Sequence, residues 1–233
     1  HASFDELIVD EGQDFTEAWK DAVLRLLRPH GRAWWLEDPL QNVYDRPPVS
    51  LPGWVVLRSD TNYRSPQDIL GLLNRLIPDA ASIHAGSPLH GSDVEILTYA
   101  DSADLVTQTK RAITAGLSAG FRREMMALVT FRGREHSLLT PYDRLGAYPL
   151  KAFSGHYDLL GNPVFSDGDI LIDSIYRFKG QAAPCVIFTE IDFETLDDKV
   201  QRKLFVGMTR ATMKLILVVS ERSEQALRQR IEN

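Results

Sequence analysis

Asp10 and Glu11 close the apolar run Leu7-Ile8-Val9 and are followed by Gly12-Gln13-Asp14. A buried parallel strand ending in acids puts both carboxylates at the sheet edge where α/β proteins bind ligands. Asp10 can hold Mg2+ there, because that hard cation takes oxygen ligands beside a phosphate. Glu11 can accept a proton from an attacking water or orient it. A polar strand end with a solvated turn has the same residues, so the pair alone decides nothing.

A second polar cluster follows another apolar run, in Trp35-Leu36-Glu37-Asp38-Pro39-Leu40-Gln41-Asn42-Val43-Tyr44. Gln41 beyond a sheet edge can hydrogen-bond a phosphate oxygen and a water together, which suits a sensor. Asp38 and Pro39 also read as the cap and first residue of a helix, and both readings can hold. In Asp60-Thr61-Asn62-Tyr63-Arg64-Ser65-Pro66, Ser65 is the expected helix cap and Pro66 the first helical residue. Arg64 then stands at the mouth of the helix. Its guanidinium could fork onto a phosphate or pair with Asp60 or Asp68 for little gain.

Two further segments lie toward the C-terminus. In Asp173-Ser174-Ile175-Tyr176-Arg177-Phe178-Lys179-Gly180-Gln181, Gly180 permits a positive φ or a close approach to a ligand. Tyr176 and Phe178 alternate with Arg177 and Lys179, an order able to stack bases and pair phosphates of a single strand. An aromatic strand end packed into the core is the competing reading. In Arg202 to Ala211, Leu204, Phe205, Met208 and Ala211 share one helical face. Arg210 is expected to project at the helix end. It could reach a phosphate held by a neighbouring domain or simply complement the helix dipole.

The elements that must position these groups alternate between strand-length apolar runs and amphipathic stretches, the pattern of an α/β fold with a mostly parallel sheet. Strands are expected at Phe4–Val9 and Ala33–Leu36, with a helix over residues 16–28 stopped by Pro29, His30 and Gly31. Pro47, Pro48, Pro52 and Gly53 form a stiff connector, which places one domain at residues 1–50 and another at 51–233. Later strands are expected at Trp54–Leu57, Val94–Tyr99, Met126–Phe131, Ile170–Ile175, Cys185–Ile191 and Leu215–Val219. Helices are expected near Pro66–Leu76, Ala103–Gly116, Leu196–Ala211 and Glu221–Ile231. Residues 132–168 show weak periodicity and leave their structure open.

Composition sets outer limits. The chain of 233 residues has 44% apolar and 25% charged residues, an ordinary soluble balance with enough length for a core. No apolar run approaches the roughly eighteen residues of a membrane span. A start without Met or a signal-peptide profile reads as a cut inside a longer protein. The single Cys185 lies in an apolar run and suggests a buried thiol in a reducing, cytoplasmic setting. The six His are scattered, with no Cys/His cluster at ligand spacing. A net charge of −6 argues against a broadly basic DNA-coating surface. Positive charge confined to one cleft would still serve a motor that must renew its grip.

In their order, the five segments resemble helicase motifs II, III, IV, V and VI of the UvrD-like superfamily 1 helicases. The family's versions look like DExxQD, GDxxQSIY, NYRS, a T-I-H-x-x-K-G-type motif and VAxTRA. Here they read Asp10-Glu11-Gly12-Gln13-Asp14, Glu37 to Tyr44, Asn62-Tyr63-Arg64-Ser65, Ser174 to Gly180 and Val206 to Ala211. The resemblance runs from residue 4 to about residue 219. It implies two RecA-like domains of the P-loop NTPase fold with ATP in the cleft between them. This chain would hold the last strands of the first domain and all of the second. It further implies that Asp10 is the Mg2+ ligand, Glu11 activates water and Gln41 senses the γ-phosphate. Arg64 and Arg210 would reach ATP from the second domain, with Gln13 and Gly180 near the nucleotide. Tyr176, Arg177 and Lys179 would face single-stranded DNA, with RNA open as well.

The sequence departs from that pattern in three places. No G-x-x-x-x-G-K-S/T phosphate loop occurs. The expectation is therefore a piece of an ATP-dependent helicase, inactive alone, whose loop belongs to a missing N-terminal part of the same chain. The family's aromatic-Arg-Gly after Q-x-x-Y is Asp45-Arg46-Pro47-Pro48 here, Tyr176 replaces the motif V His, and Gln181-Ala182 stands where an acid follows the Gly. Only 109 positions separate Arg64 from Asp173, too few for the large accessory insertion of many members, so a compact motor is expected. The altered strand-facing positions and the acidic charge also fit a helicase-like module that binds nucleic acid or protein without a working motor.

Overall fold

The computed structural model describes residues 3–77 and 83–232. The chain divides into two compact units, His1–Ser59 and Asp60–Asn233, so the division falls beyond the proline cluster. In the first unit, β1 (Phe4–Val9) pairs in parallel with β2 (Leu27–Trp35), and α1 (Glu17–Leu24) connects them. Thr16 caps α1 by accepting the Trp19 N–H.

Here two expectations need correction. The helix ends at Leu24, and Pro29-His30-Gly31 bends a strand instead of stopping a helix. Phe4 faces Leu27 whereas Glu6 faces Arg32, so β2 advances five steps against two in β1. His30, at φ 68°, absorbs the resulting bulge. The expected strand Trp54–Leu57 does not form. Gly53 turns at φ 80°, and Val55 and Leu57 are 86% and 81% exposed with no ladder partner among the described residues.

The second unit opens with β3 (Thr61–Asn62), α2 (Gln67–Leu76) and β4 (His84–Ala85), which pairs with β3. It continues through β5 (Glu95–Tyr99), α3 (Ser102–Ser118) and β6 (Met126–Thr130). The open region 132–168 folds into β7 (Arg144–Leu145), β8 (Tyr148–Tyr157) and β9 (Pro163–Phe165), with β8 antiparallel to β7 and to β9. Then come β10 (Ile170–Ser174), β11 (Ala183–Ile191), α4 (Asp198–Met208), β12 (Ala211–Ser220) and α5 (Glu221–Glu232). The sheet order is β5-β12-β11-β6-β10-β8-β7, parallel from β5 to β8. This is the expected mixed α/β fold with a mostly parallel sheet between helices. The segment expected as helix to Ala211 ends at Met208, because Ala211 already pairs with Ala183 in the sheet.

Strands buried on both faces read as unbroken apolar runs, which is why β6, β11 and β12 are plain in the sequence. Alternate residues of β11 serve opposite layers. Cys185 and Ile187 join Leu105, Ala112 and Ile113 of α3 in one buried cluster. Phe188 points the other way, against Gly207 of α4. A Cβ on Gly207 would lie 2.3 Å from that ring. Gly207→Ala should therefore lose more to overpacking, about 1–3 kcal/mol, than helix propensity returns. A thermal melt lowered by several degrees is expected; an unchanged melt would show that α4 has slack.

Candidate functional site

In the first unit, the acids sit where β1 ends. Asp10 is exposed, and its Oδ1 accepts the Glu11 N–H at 2.9 Å. Glu11 itself is held in the left-handed region at φ 53°, uncommon for any residue with a Cβ. Gly12 follows because nothing larger fits. Its N–H donates to Leu36 O at 2.7 Å, and a Cβ there would lie 2.1 Å from the Trp35 indole nitrogen.

Gln13 links the first two motifs, a role its sequence position does not disclose. It is buried, its Nε2 donates to Glu11 Oε2 at 2.5 Å, and its Oε1 accepts the Asp38 N–H at 3.0 Å. Asp38 caps the short 3-10 turn Pro39–Gln41 as expected, accepting from Leu40 N–H, and its Oδ2 accepts from Gln41 Nε2 at 2.8 Å. Hydrogen bonds thus join Glu11 to Gln13, Gln13 to the Asp38 backbone, and the Asp38 carboxylate to Gln41. Arg46, at the position of the family's strand-stacking triplet, is engaged locally. It lies 4.7 Å from the centre of the Trp19 ring and donates to Asp14 O.

In the second unit, the predicted residues fall at opposite edges of the sheet. At the edge where β12 begins, Arg64 is exposed and makes no ion pair among the described residues, so neither Asp60 nor Asp68 claims it. Ser65 is not the helix cap; Pro66 holds that position. Asn62 Oδ1 instead accepts the N–H groups of Arg64 and Ser65, at 2.8 and 2.9 Å. Buried Ser65 reaches Thr209 O at 3.5 Å, which brings the Arg64 segment beside Arg210.

Arg210 does not project. It is 2% exposed, donating from Nε to Val206 O in the last turn of α4 at 3.1 Å and from Nη1 to Gln181 O in the turn before β11 at 3.3 Å. Gly180, next to Gln181, has the anticipated positive φ, 79°, with open space where a side chain would stand. Three of the motifs therefore meet here: Arg64 with Ser65, Gly180 with Gln181, and Thr209 with Arg210.

At the other edge, β10 runs into a turn carrying Tyr176, Arg177 and Lys179. Phe178 is buried in the core, so the stacking expected of it is corrected: its ring is part of the fold. Tyr176 and Lys179 are partly exposed. The Arg177 guanidinium lies 3.7 Å from the centre of the Phe153 ring, and its Nε is 3.3 Å from Asp173 Oδ2, which ties this turn to β8. Burial raises the Asp173 pKa, against the pull of the Ser174 N–H and Arg177.

Residues 169–218 match the UvrD-like helicase C-terminal domain. The matched stretch includes β10, the turn at 175–182, β11, α4 and Arg210. This stretch of the chain resembles a UvrD-like helicase C-terminal domain. The chain's fold is similar to the C-terminal domain of a possible DNA helicase from Lactobacillus plantarum, 16% identical, covering 68% of this chain and 88% of that one with a TM-score of 0.51. It is also similar to the helicase nonstructural protein 10 of an arterivirus, 13% identical, covering 100% of this chain and 43% of that one, TM-score 0.46. No curated protein matches the sequence. Among the described residues, no helix is long and apolar enough to cross a membrane.

Proposed function

We propose that the chain is the sensing and arginine-bearing part of an ATP-dependent translocase that moves along single-stranded nucleic acid. The phosphate loop comes from the N-terminal part of the same parent chain. The observation that carries this reading is the set of hydrogen bonds joining Glu11, Gln13, Asp38 and Gln41. A base that orients water and an amide that senses phosphate must respond to the same event, and one shared set of hydrogen bonds gives them common cause. An inert binding module has no physical need for it.

Asp10 fits Mg2+. It is an exposed carboxylate at a strand end. That suits a cation bound through one or two carboxylates while nucleotide phosphates and water complete its shell. Bound there, Mg2+ would neutralise charge on the β- and γ-phosphates. In this chain, Glu11 orients water, Gln41 reports the γ-phosphate, and Arg64 and Arg210 supply positive charge to it. Tyr176, Arg177 and Lys179 belong to the strand-facing side.

Steady-state ATPase assays test the reading. The chain alone should show no turnover above an Arg210→Ala control, and the parent should show turnover that rises when single strands are added. Hydrolysis by the isolated chain would refute the division of labour, and a parent indifferent to nucleic acid would refute the translocase.

A further inference from the structure

At the edge where β6 and β10 end, Lys203 has no anionic partner among the described residues. Lys203 of α4 is half-buried, and its Nζ donates to Phe131 O at 3.3 Å. The same nitrogen lies 4.5 Å from the centre of the Phe131 ring and 5.4 Å from that of Tyr176. Among the described residues, no carboxylate stands within ion-pair distance of it. Arg132, the next cation along this edge, is already matched by Asp192 at 2.9 Å.

Burial lowers the Lys203 pKa, and the nearby charges of Lys199 and Arg132 lower it further, with Asp197 opposing. An ammonium taken partly out of water among like charges is unfavourable unless an anion joins it. The two rings recover part of that cost through their π faces. An apolar residue would fill the same space without the penalty, so packing does not account for a lysine here.

We infer that Lys203 binds a backbone phosphate of the nucleic-acid strand, with Tyr176 beside it as the surface for an adjoining base. This assignment rests on the strand-facing role proposed above for the turn at 176–179. Nucleic-acid phosphates meet this chemistry well, because a lysine neutralises them one charge at a time while an aromatic face accepts any base.

The test is fluorescence anisotropy of a labelled oligothymidylate titrated with the full 233-residue chain, between about 50 and 200 mM salt. Lys203→Met should weaken binding roughly threefold or more at the lower salt. It should also flatten the slope of log K against log salt by about 0.7, the share of one phosphate contact on a single strand. Lys203→Arg should keep the original slope. Methionine in this half-buried place should leave the thermal melt unchanged or raised; Lys203→Gln gives the same reading should methionine disturb α4. An unchanged slope in folded Met and Gln variants would overturn the assignment while leaving the translocase intact. No binding by the unaltered chain even at low salt would overturn the strand-facing reading and this assignment together.

Discussion

Arg210→Ala in the parent protein is expected to slow ATP turnover by about 10³-fold or more, the scale set by arginines that stabilise charge in phosphoryl transfer. The same change should weaken the fold. Arg210 is 2% exposed, and its removal takes one donor from Val206 O, which keeps the Thr209 hydroxyl, and one from exposed Gln181 O. The cost should be near that of ordinary hydrogen bonds, about 0.5–1.5 kcal/mol each. The two effects separate when turnover is measured well below the melting temperature, beside circular dichroism. Arg210→Lys sharpens the comparison. It keeps the charge but loses the planar fork, so turnover should remain low even where the melt partly recovers. Turnover within tenfold of the unaltered parent, from a folded Arg210→Ala protein, would remove Arg210 from the reaction.

The second large effect is expected at Glu11. Glu11→Gln in the parent should cut hydrolysis by roughly 10²–10⁴-fold, the usual weight of a positioned general base. Nucleotide affinity should be kept, since glutamine preserves the shape and can still accept from Gln13 Nε2, now 2.5 Å from Glu11 Oε2. Single-turnover hydrolysis with a fluorescent nucleotide titration reads both quantities. Loss of binding along with hydrolysis would point to a damaged site, and unchanged hydrolysis would assign the base elsewhere. Gln13→Ala is the companion variant: it leaves the Glu11 carboxylate in place but withdraws the acceptor used by Asp38 N–H at 3.0 Å. An intermediate loss is expected.

What was legible in the sequence followed from short-range rules. β6, β11 and β12 announce themselves because burial on both faces demands continuous apolar runs. α3 and α4 begin close to where sequence places them, since Asp101 and Asp197 cap them. The failures had distant causes. Pro29-His30-Gly31 looks like a helix stop until β1 supplies a ladder for it to bulge from. Ser65 looks like a cap until Thr209, remote in sequence, takes its hydroxyl at 3.5 Å. Arg210 looks like a projecting arginine because the carbonyls that hold it belong partly to another turn of chain. In the candidate site, residue types point to Asp10, Glu11 and Gln41, and the structure brings Glu11 and Gln41 into hydrogen-bonded reach of the same segment. The role of Gln13 as a bridge required the spatial meeting of two segments, and Lys203 drew no notice because an isolated lysine in a helix carries no pattern.

α4 carries both Lys203 and, just past its last turn, Arg210. Five residues at about 1.5 Å each put Lys203 roughly 7 Å from the end of α4 at Met208, with Arg210 two residues beyond. The last turn of that helix packs closely through Gly207 onto Phe188. If its two ends respond to different ligands, those ligands share one coupling free energy, and the exchange is symmetric by necessity. Whatever factor nucleotide imposes on strand affinity, the strand must impose on nucleotide affinity. Gly207 then belongs to that thermodynamic cycle while touching neither ligand.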